Sequence, residues 1–530
     1  MKLNILKYGR GALRVVLLFV LFLFWWQCVP FMLSYQEQYQ LFIFTTDYLR
    51  DALCIPGGFA AWTGEFITQF FYVCWLGALL LALLLVFLQY LVAKAMRNPG
   101  WYVASFAVPV MVCWLMADES TLLAYPVAMT MAVAFHLVSR KFTSLVDIFI
   151  VPVLYWLIGS MVWLYVALNV VDGGWKKAWT LLLPAAAQGV AYLFLLPEWP
   201  LYSVVTGWVY YRIPLQTPTL MWVVPIVTLL LVCLAKTVVH RKWVTVAEAV
   251  AVAALLFVTW LAFDNEKMSL IEDDWLVRNE QWDEIIKKAT KEQVRTPFSS
   301  QCVNLALAKK RQLADRMFDF YQSGRDALIM PRTRDLTSML PSAEAFWHLG
   351  MINSAQRYMF DTQESILNAK KSGRCTKRLA ACMIVNGHYQ AAAKQLNLLK
   401  KSLFYRAWAK EAETYLGKED KINSHPEWGK KRQQRYKQDF LYNYEELDKM
   451  FGQLFMTNTD NKMALDYMLA QMLLNGNVPA FYQYLQWAQQ YGGYTAMPLG
   501  YQDVVRCMQR NGQVEGSPYL NYVKRITQQQ

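Results

Sequence analysis

Over the first half of the chain, apolar runs long enough to cross a bilayer alternate with short polar connectors, and the pattern changes abruptly near residue 264. A hydrocarbon core about 30 Å thick needs roughly 17–25 mostly apolar helical residues. The run from Gly11 to Met32 meets that length, and further apolar stretches occupy 67–92, 101–117, 121–138, 145–171, 179–196, 219–238 and 244–263. None has the one-sided periodicity of a helix lying on a water-facing core, as expected where lipid surrounds the helix. Beyond Asp264 the apolar positions recur at helical spacing, Gly and Pro punctuate them, and no alternating β-branched run occurs. The predicted fold class is all-α: a polytopic transmembrane helix bundle over 1–263, with a large first extracytoplasmic loop at 33–66, then a soluble α-helical domain over 264–530.

Charge sharpens that division. Only 17% of the 530 residues are charged, against roughly 25% in an average soluble protein. Residues 1–263 carry 15 Lys and Arg with 10 Asp and Glu, and the remainder carries 37 and 29. In a chain with lipid-embedded segments the net charge of +13 reads as a topology signal, so no nucleic-acid partner is expected.

Positive residues in short loops mark the cytoplasmic face. Four clusters qualify: Lys2 to Arg14, Lys94 with Arg97, Arg140 with Lys141, and Lys236 with Arg241 and Lys242. Segments 34–66 and 117–120 hold Glu37, Asp47, Asp51, Glu65, Asp118 and Glu119 against one Arg50, which places them outside. Eight simple spans would violate this alternation and turn the C-terminal half inward. Gly159-Ser160 interrupts the long stretch 145–171, and a re-entrant pair of short helices there restores parity. Such breaks are tolerated where protein or a water-filled cavity surrounds the freed backbone. The expectation is a bacterial inner-membrane protein with eight or nine crossings, a cytoplasmic N-terminus and a periplasmic C-terminal domain.

Self-similarity marks the second half. Trp275 and Trp282 flank a turn at Asn279, Phe346-Trp-His-Leu-Gly350 precedes Ala355, and Asn386-Gly387-His388-Tyr389 precedes Ala391 and Ala392. Turn positions near 279, 312, 350 and 387 recur every 33 to 38 residues. This spacing resembles tetratricopeptide repeats, which implies a surface that binds or positions a protein partner. The basic run through Lys418, Lys421, Lys430, Lys431, Arg432, Arg435 and Lys437 reads as a solvated helix face.

Candidate chemistry concentrates in the first outer loop. There Tyr35, Glu37, Tyr39, Asp47, Arg50 and Asp51 interleave polar with aromatic groups, followed by Pro56-Gly57-Gly58, Glu65 and Gln69. A carboxylate held at the membrane surface can take a proton from a hydroxyl or bind a metal that a phosphate also binds. The alternative is an interfacial amphipathic helix with its acids in water and its aromatic rings at headgroup level. A second outer segment runs from Glu198 to Pro214 and ends in Tyr210-Tyr211-Arg212, whose rings could stack on a sugar or anchor at the interface.

The first half resembles the C-type glycosyltransferases, polytopic enzymes that use polyprenyl-phosphate sugar donors and keep a catalytic acid in the first outer loop. The chain is also similar, around Glu37-Gln38 and Pro56-Gly57-Gly58 to Gln69, to multi-span proteins of Bacteroidetes-type bacteria. The first resemblance implies inverting transfer of a sugar or oligosaccharide from a lipid-linked donor to a periplasmic hydroxyl. Glu37 or Asp47 would be the base, and Arg50, Gln69, Tyr211 and Arg212 would bind substrate. A divalent metal could assist, although no residue cluster specifies a metal site.

Negative signals narrow the field. Nine cysteines and five histidines form no CxxC or HExxH, and there is no phosphate-binding GxxxxGK[ST], GxGxxG or GxSxG motif. The competing reading is a non-enzymatic scaffold in which the bundle tethers the helical array to an envelope assembly. A transporter ranks third, because Asp147 and Glu248 lie near helix ends and form no proton relay.

Overall fold

The computed structural model describes residues 2–237, 242–263, 266–292, 295–332, 337–366, 370–437, 443–491, 493–510 and 514–529. Among them the secondary structure is helical, with no strand and a single isolated bridge between Thr121 and Tyr211. The chain divides into two compact units, one of Met1–Asn265 with Lys401–Phe404, the other of Glu266–Lys400 with Tyr405–Gln530.

The first unit contains α1 (Lys2–Leu23), α2 (Pro30–Gln38), α3 (Thr46–Leu53), α4 (Gly58–Thr68), α5 (Cys74–Met96), α6 (Ala107–Leu115), α7 (Ala124–Ser139), α8 (Asp147–Ile158), α9 (Val162–Gly173), α10 (Leu182–Val190), α11 (Leu201–Thr206), α12 (Leu220–Thr237) and α13 (Lys242–Phe263). Among the described residues four helical stretches are long and apolar enough to cross a membrane: Gly9–Cys28, Cys74–Met96, Asp147–Leu195 and Val244–Phe263. Only 17% of the first and last is buried within the protein. Their apolar side chains therefore face outward, an arrangement that water penalises and lipid does not.

The stretch 147–195 is not one rod. Gly159, at φ +60°, ends α8, and a single tight turn at Gly159–Met161 leads into α9. A continuous helix would set residues 147 and 165 about 27 Å apart, yet the Tyr165 hydroxyl donates to Asp147 Oδ1 at 2.8 Å. The chain thus turns back on itself at the Gly159-Ser160 break expected from sequence. Glycine is required there, because a Cβ on Gly159 would lie 2.8 Å from the Tyr210 hydroxyl and 3.4 Å from the Gly57 Cα. Gly57, whose amide donates to Trp156 O at 2.9 Å, belongs to the Pro56-Gly57-Gly58 motif. The two glycine breaks therefore fit against each other.

The far ends of this hairpin and its neighbours share a carboxylate. Asp172 at the end of α9 meets Arg97 at 3.1 Å, Arg140 at 2.8 Å and also Lys236. Arg140 further donates to Ala95 O at 2.8 Å, and Asn98 to Ala235 O at 3.0 Å. Three of the positive clusters identified in the sequence therefore gather at one end of the unit, around one acid. A carboxylate among three cations offsets the burial cost that any one pair would leave.

The second unit contains α14 (Glu266–Arg278), α15 (Trp282–Glu292), α16 (Pro297–Lys309), α17 (Leu313–Arg316), α18 (Met339–Leu349), α19 (Ile352–Glu364), α20 (Gly373–Asn386), α21 (Tyr389–Leu399), α22 (Arg406–Glu413), α23 (Glu419–Asn423), α24 (Trp428–Gln434), α25 (Leu447–Thr457), α26 (Lys462–Leu474), α27 (Val478–Gln490), α28 (Leu499–Gln509) and α29 (Pro518–Gln529). Turns separate α14 from α15, α16 from α17, α18 from α19 and α20 from α21, at the positions near 279, 312, 350 and 387 read from the sequence. The α20 end shows why: Gly387 takes a left-handed conformation and His388 N donates to Met383 O at 2.8 Å, which closes the helix and reverses the chain. Large apolar side chains such as Trp347, Tyr358, Phe451 and Phe481 are fully enclosed between the helices.

Candidate functional site

At the end of the first unit opposite Asp172, three distant segments meet: the end of α2, the turn 118–122 and the strand-like stretch 209–212. The backbone fixes two of them together. Leu122 N donates to Tyr210 O at 2.9 Å and Arg212 N to Ser120 O at 2.7 Å, which forms the Thr121–Tyr211 bridge. The side chains lock the arrangement: Tyr211 donates its hydroxyl to Asp118 Oδ2 at 2.7 Å, and Asp118 Oδ1 accepts from Ser120 N at 2.9 Å. Gln36 Nε2 reaches Thr121 O at 3.2 Å and brings α2 into the cluster.

Tyr35 on α2 and Tyr39, the residue that caps its C-terminal end, stand four residues apart, so their rings come to one side of the helix end. They meet edge to face at 5.0 Å. The Arg212 guanidinium carbon lies 4.7 Å from the Tyr39 ring centre and 5.5 Å from that of Tyr35. Arg212 is only 6% exposed, and Nε, Nη1 and Nη2 have no hydrogen-bond partner among the described residues.

That balance is unfavourable on its own terms. Removing a charge from water costs several kcal/mol after relaxation, whereas a cation over a ring returns about 0.5–2 kcal/mol. A guanidinium, with its charge delocalised over three nitrogens, does not escape by losing its proton. The planar fork of donors between two rings is suited to a bidentate oxyanion, and phosphate or carboxylate matches its geometry.

The sequence-derived residues do not all join this cluster. Tyr211 and Arg212 form its floor, with the Tyr211 hydroxyl already committed to Asp118. Glu37 is buried at 3% exposure on α2. At 100° per residue, however, it lies about 160–200° around the helix from the Tyr35 and Tyr39 face that meets Arg212. Asp47 and Arg50 are exposed on α3, whose start is capped by the Thr45 side chain. Glu37 and Asp47 are therefore not on one continuous helix, because α2 stops at Gln38 and α3 starts at Thr46. Gln69 is buried just beyond α4, where its amide donates to Phe66 O at 2.9 Å. Glu65 takes the Tyr48 hydroxyl as donor. Asp47, Arg50 and Gln69 make none of the contacts that build the Arg212 cluster.

Three participants were missed in the sequence reading: Tyr35 and Tyr39 as the ring clamp, and Asp118 as the anchor of Tyr211. The four-residue spacing of the tyrosines was the available signal. In the second unit, the basic run also departs from its expected role. Lys431 is 6% exposed, and Arg432 pairs with Glu419 while donating to Val385 O at 3.2 Å. This run is not uniformly a solvated face, because α24 packs Trp428 and Lys431, three residues apart, on its buried side.

No curated protein matches the chain, and no solved structure does. A family model, DUF6057, described as a family of unknown function, matches residues 5–529. The chain belongs to that family.

Proposed function

Because that membership carries no activity with it, we propose from the geometry that this protein is a polytopic inner-membrane protein. In this reading it holds the phosphate of a polyprenyl-linked sugar at Arg212 and passes the sugar to a hydroxyl acceptor on the periplasmic side. The observation that carries the reading is the buried guanidinium between Tyr35 and Tyr39, which has the charge and the fork geometry for a phosphate but no acceptor among the described residues. Membrane residence is supported by the two long apolar helical stretches that are mostly unburied.

Orientation follows from the charge at each end. With Arg97, Arg140 and Lys236 at one end and the 118–121 turn at the other, positive residues favour the first end on the cytoplasmic side. In this reading Arg212 and the helical second half lie outside, and the turnback at Gly159 supports the parity this requires. The helix–turn–helix succession of that half, reversing near 279, 312, 350 and 387, supports a tetratricopeptide-like module that recruits the acceptor or a protein partner.

In the transfer step the base removes the acceptor proton, the acceptor oxygen bonds to the anomeric carbon, and the sugar–phosphate bond breaks with its electrons leaving on the polyprenyl phosphate. Arg212 neutralises that departing charge. Glu37 and Asp47 are the two candidate bases. The test is sugar transfer in proteoliposomes from a polyprenyl-phosphate sugar. Arg212→Ala and one of Glu37→Gln or Asp47→Asn should abolish turnover at unchanged protein level.

A second reading, the tethered scaffold, gains support from Glu37 lying away from the Arg212 face and from the exposure of Asp47. In that case Arg212 anchors a phosphate-bearing lipid without turnover. Lipid binding by wild type that neither acid substitution alters, with no transfer to any hydroxyl acceptor, would favour it.

A further inference from the structure

In the second unit the C-terminal ends of α16 and α18, helix α24 and the start of α26 surround a cavity of about 390 Å3, a size that accepts a small organic molecule. Lys309, His348, Lys430, Lys431, Asp460 and Asp466 are among its walls. Lys431 Nζ donates to His348 O at 2.8 Å and to Gln434 Oε1 at 3.2 Å. Lys309 Nζ lies 3.1 Å from Nδ1 of the same histidine. Two ammonium groups are thus drawn onto one residue, and the atoms they bond are uncharged. Among the described residues neither has a carboxylate within 4 Å.

The histidine cannot share the positive charge. Burial, followed by Lys309 and Lys431, holds its imidazole far below its usual pKa, so Nδ1 accepts from Lys309. The acids of the cavity wall are partly spent elsewhere: Glu427 accepts from Trp347 Nε1 at 2.7 Å, and Asp466 accepts from the Tyr494 hydroxyl at 2.6 Å, while Glu280, 3.9 Å from His348 Nε2, is more than half exposed to water at the rim. Burial lifts Asp466 to about 7, so below neutrality it does not cancel the lysines.

We propose that this cavity binds the phosphate group of a small phosphorylated molecule, with Lys309 and Lys431 gripping the phosphate and Asp460 accepting from hydroxyls on the remainder. A dianion placed between the two ammonium groups relieves their mutual repulsion, and lysine acts at such sites as a compact point charge. Burial, with Lys309 adding to it, brings Lys431 down to about 7, and a bound phosphate would restore its charge. This site is independent of the one at Arg212.

The test is calorimetric titration of the full-length detergent-purified protein with inorganic pyrophosphate at pH 6.5. A parallel arm uses phosphatidic acid in mixed micelles, to distinguish a soluble phosphate from a lipid headgroup. Pyrophosphate binding that Lys431→Met and Lys309→Gln each weaken at least tenfold supports a soluble ligand. Binding confined to phosphatidic acid, with the same loss in both variants, supports the site with a lipid as its source. Arg212→Ala should leave either result unchanged. Lys309→Gln, at a partly exposed side chain, guards against misfolding of the Lys431 variant, and melting curves of both are recorded. No binding in either arm, or binding that survives both substitutions, overturns the proposal.

Discussion

Arg212 and Lys431 are both 6% exposed cations without an acid partner among the described residues, but they differ in how they can meet the cost of burial. The guanidinium keeps its proton at any pH in use, so its environment must supply negative charge or π-electron density. The ammonium group can give its proton up, and burial together with Lys309 brings it to about 7. Arg212 is therefore a permanent demand for an anion, whereas Lys431 is a conditional one that fades as pH rises. The difference shows that two buried cations with the same exposure need not signal the same function.

Exchanging the two side chains gives the sharpest way to break this contrast. Arg212→Ala should weaken binding of a polyprenyl phosphate at least a hundredfold by equilibrium titration, and Arg212→Lys should recover only part of it, since a lysine loses the bidentate fork. The reverse exchange, Lys431→Arg, places a cation that cannot neutralise itself in the same pocket. It should destabilise the second unit by about 2–4 kcal/mol in chemical unfolding.

A smaller effect separates the groups by pH. Lys431 has a folded pKa near 7 and an unfolded one near 10.4. Between those values the unfolded chain holds the extra proton, so wild-type stability rises with pH through this group. Lys431→Met should remove that rise and be more stable than wild type by about 1–3 kcal/mol at pH 6, with the gap closing by pH 10. Asp466 runs the other way: its folded pKa near 7 exceeds the unfolded value, so wild type loses stability as pH climbs from about 4 to 7. Asp466→Asn should be neutral at pH 4 and stabilising by about 1–3 kcal/mol at pH 8, read from the same unfolding curves. The smallest expected effect is at the ring clamp, where Tyr39→Leu should cost about 0.5–2 kcal/mol of polyprenyl-phosphate affinity, roughly 2- to 30-fold.

Local signals carried much of the fold. The Gly159-Ser160 break and the turns near 350 and 387 are properties of neighbouring residues, and each has its counterpart in the helices, whereas the eight apolar runs correspond, among the described residues, to only four helical stretches long and apolar enough to cross a membrane. The Arg212 cluster was legible only in fragments. Tyr35 and Tyr39 are more than 170 positions from Arg212, and their meeting depends on the Thr121–Tyr211 bridge, which no short-range pattern announces. Lys431 was hidden for a different reason. A run of basic residues reads as solvated when counted as charge. Its three-residue spacing from Trp428 places it on the packed side of α24. Glu37 and Asp47 share one outer loop in the sequence, but the chain leaves helical conformation between Gln38 and Thr46, which sets them on separate helices.

The most direct test of the Arg212 account is native mass spectrometry of the full-length protein released from micelles containing a polyprenyl phosphate. The account predicts one retained lipid on wild type and on Lys431→Met, and none on Arg212→Gln. Equal retention by Arg212→Gln and wild type would contradict it.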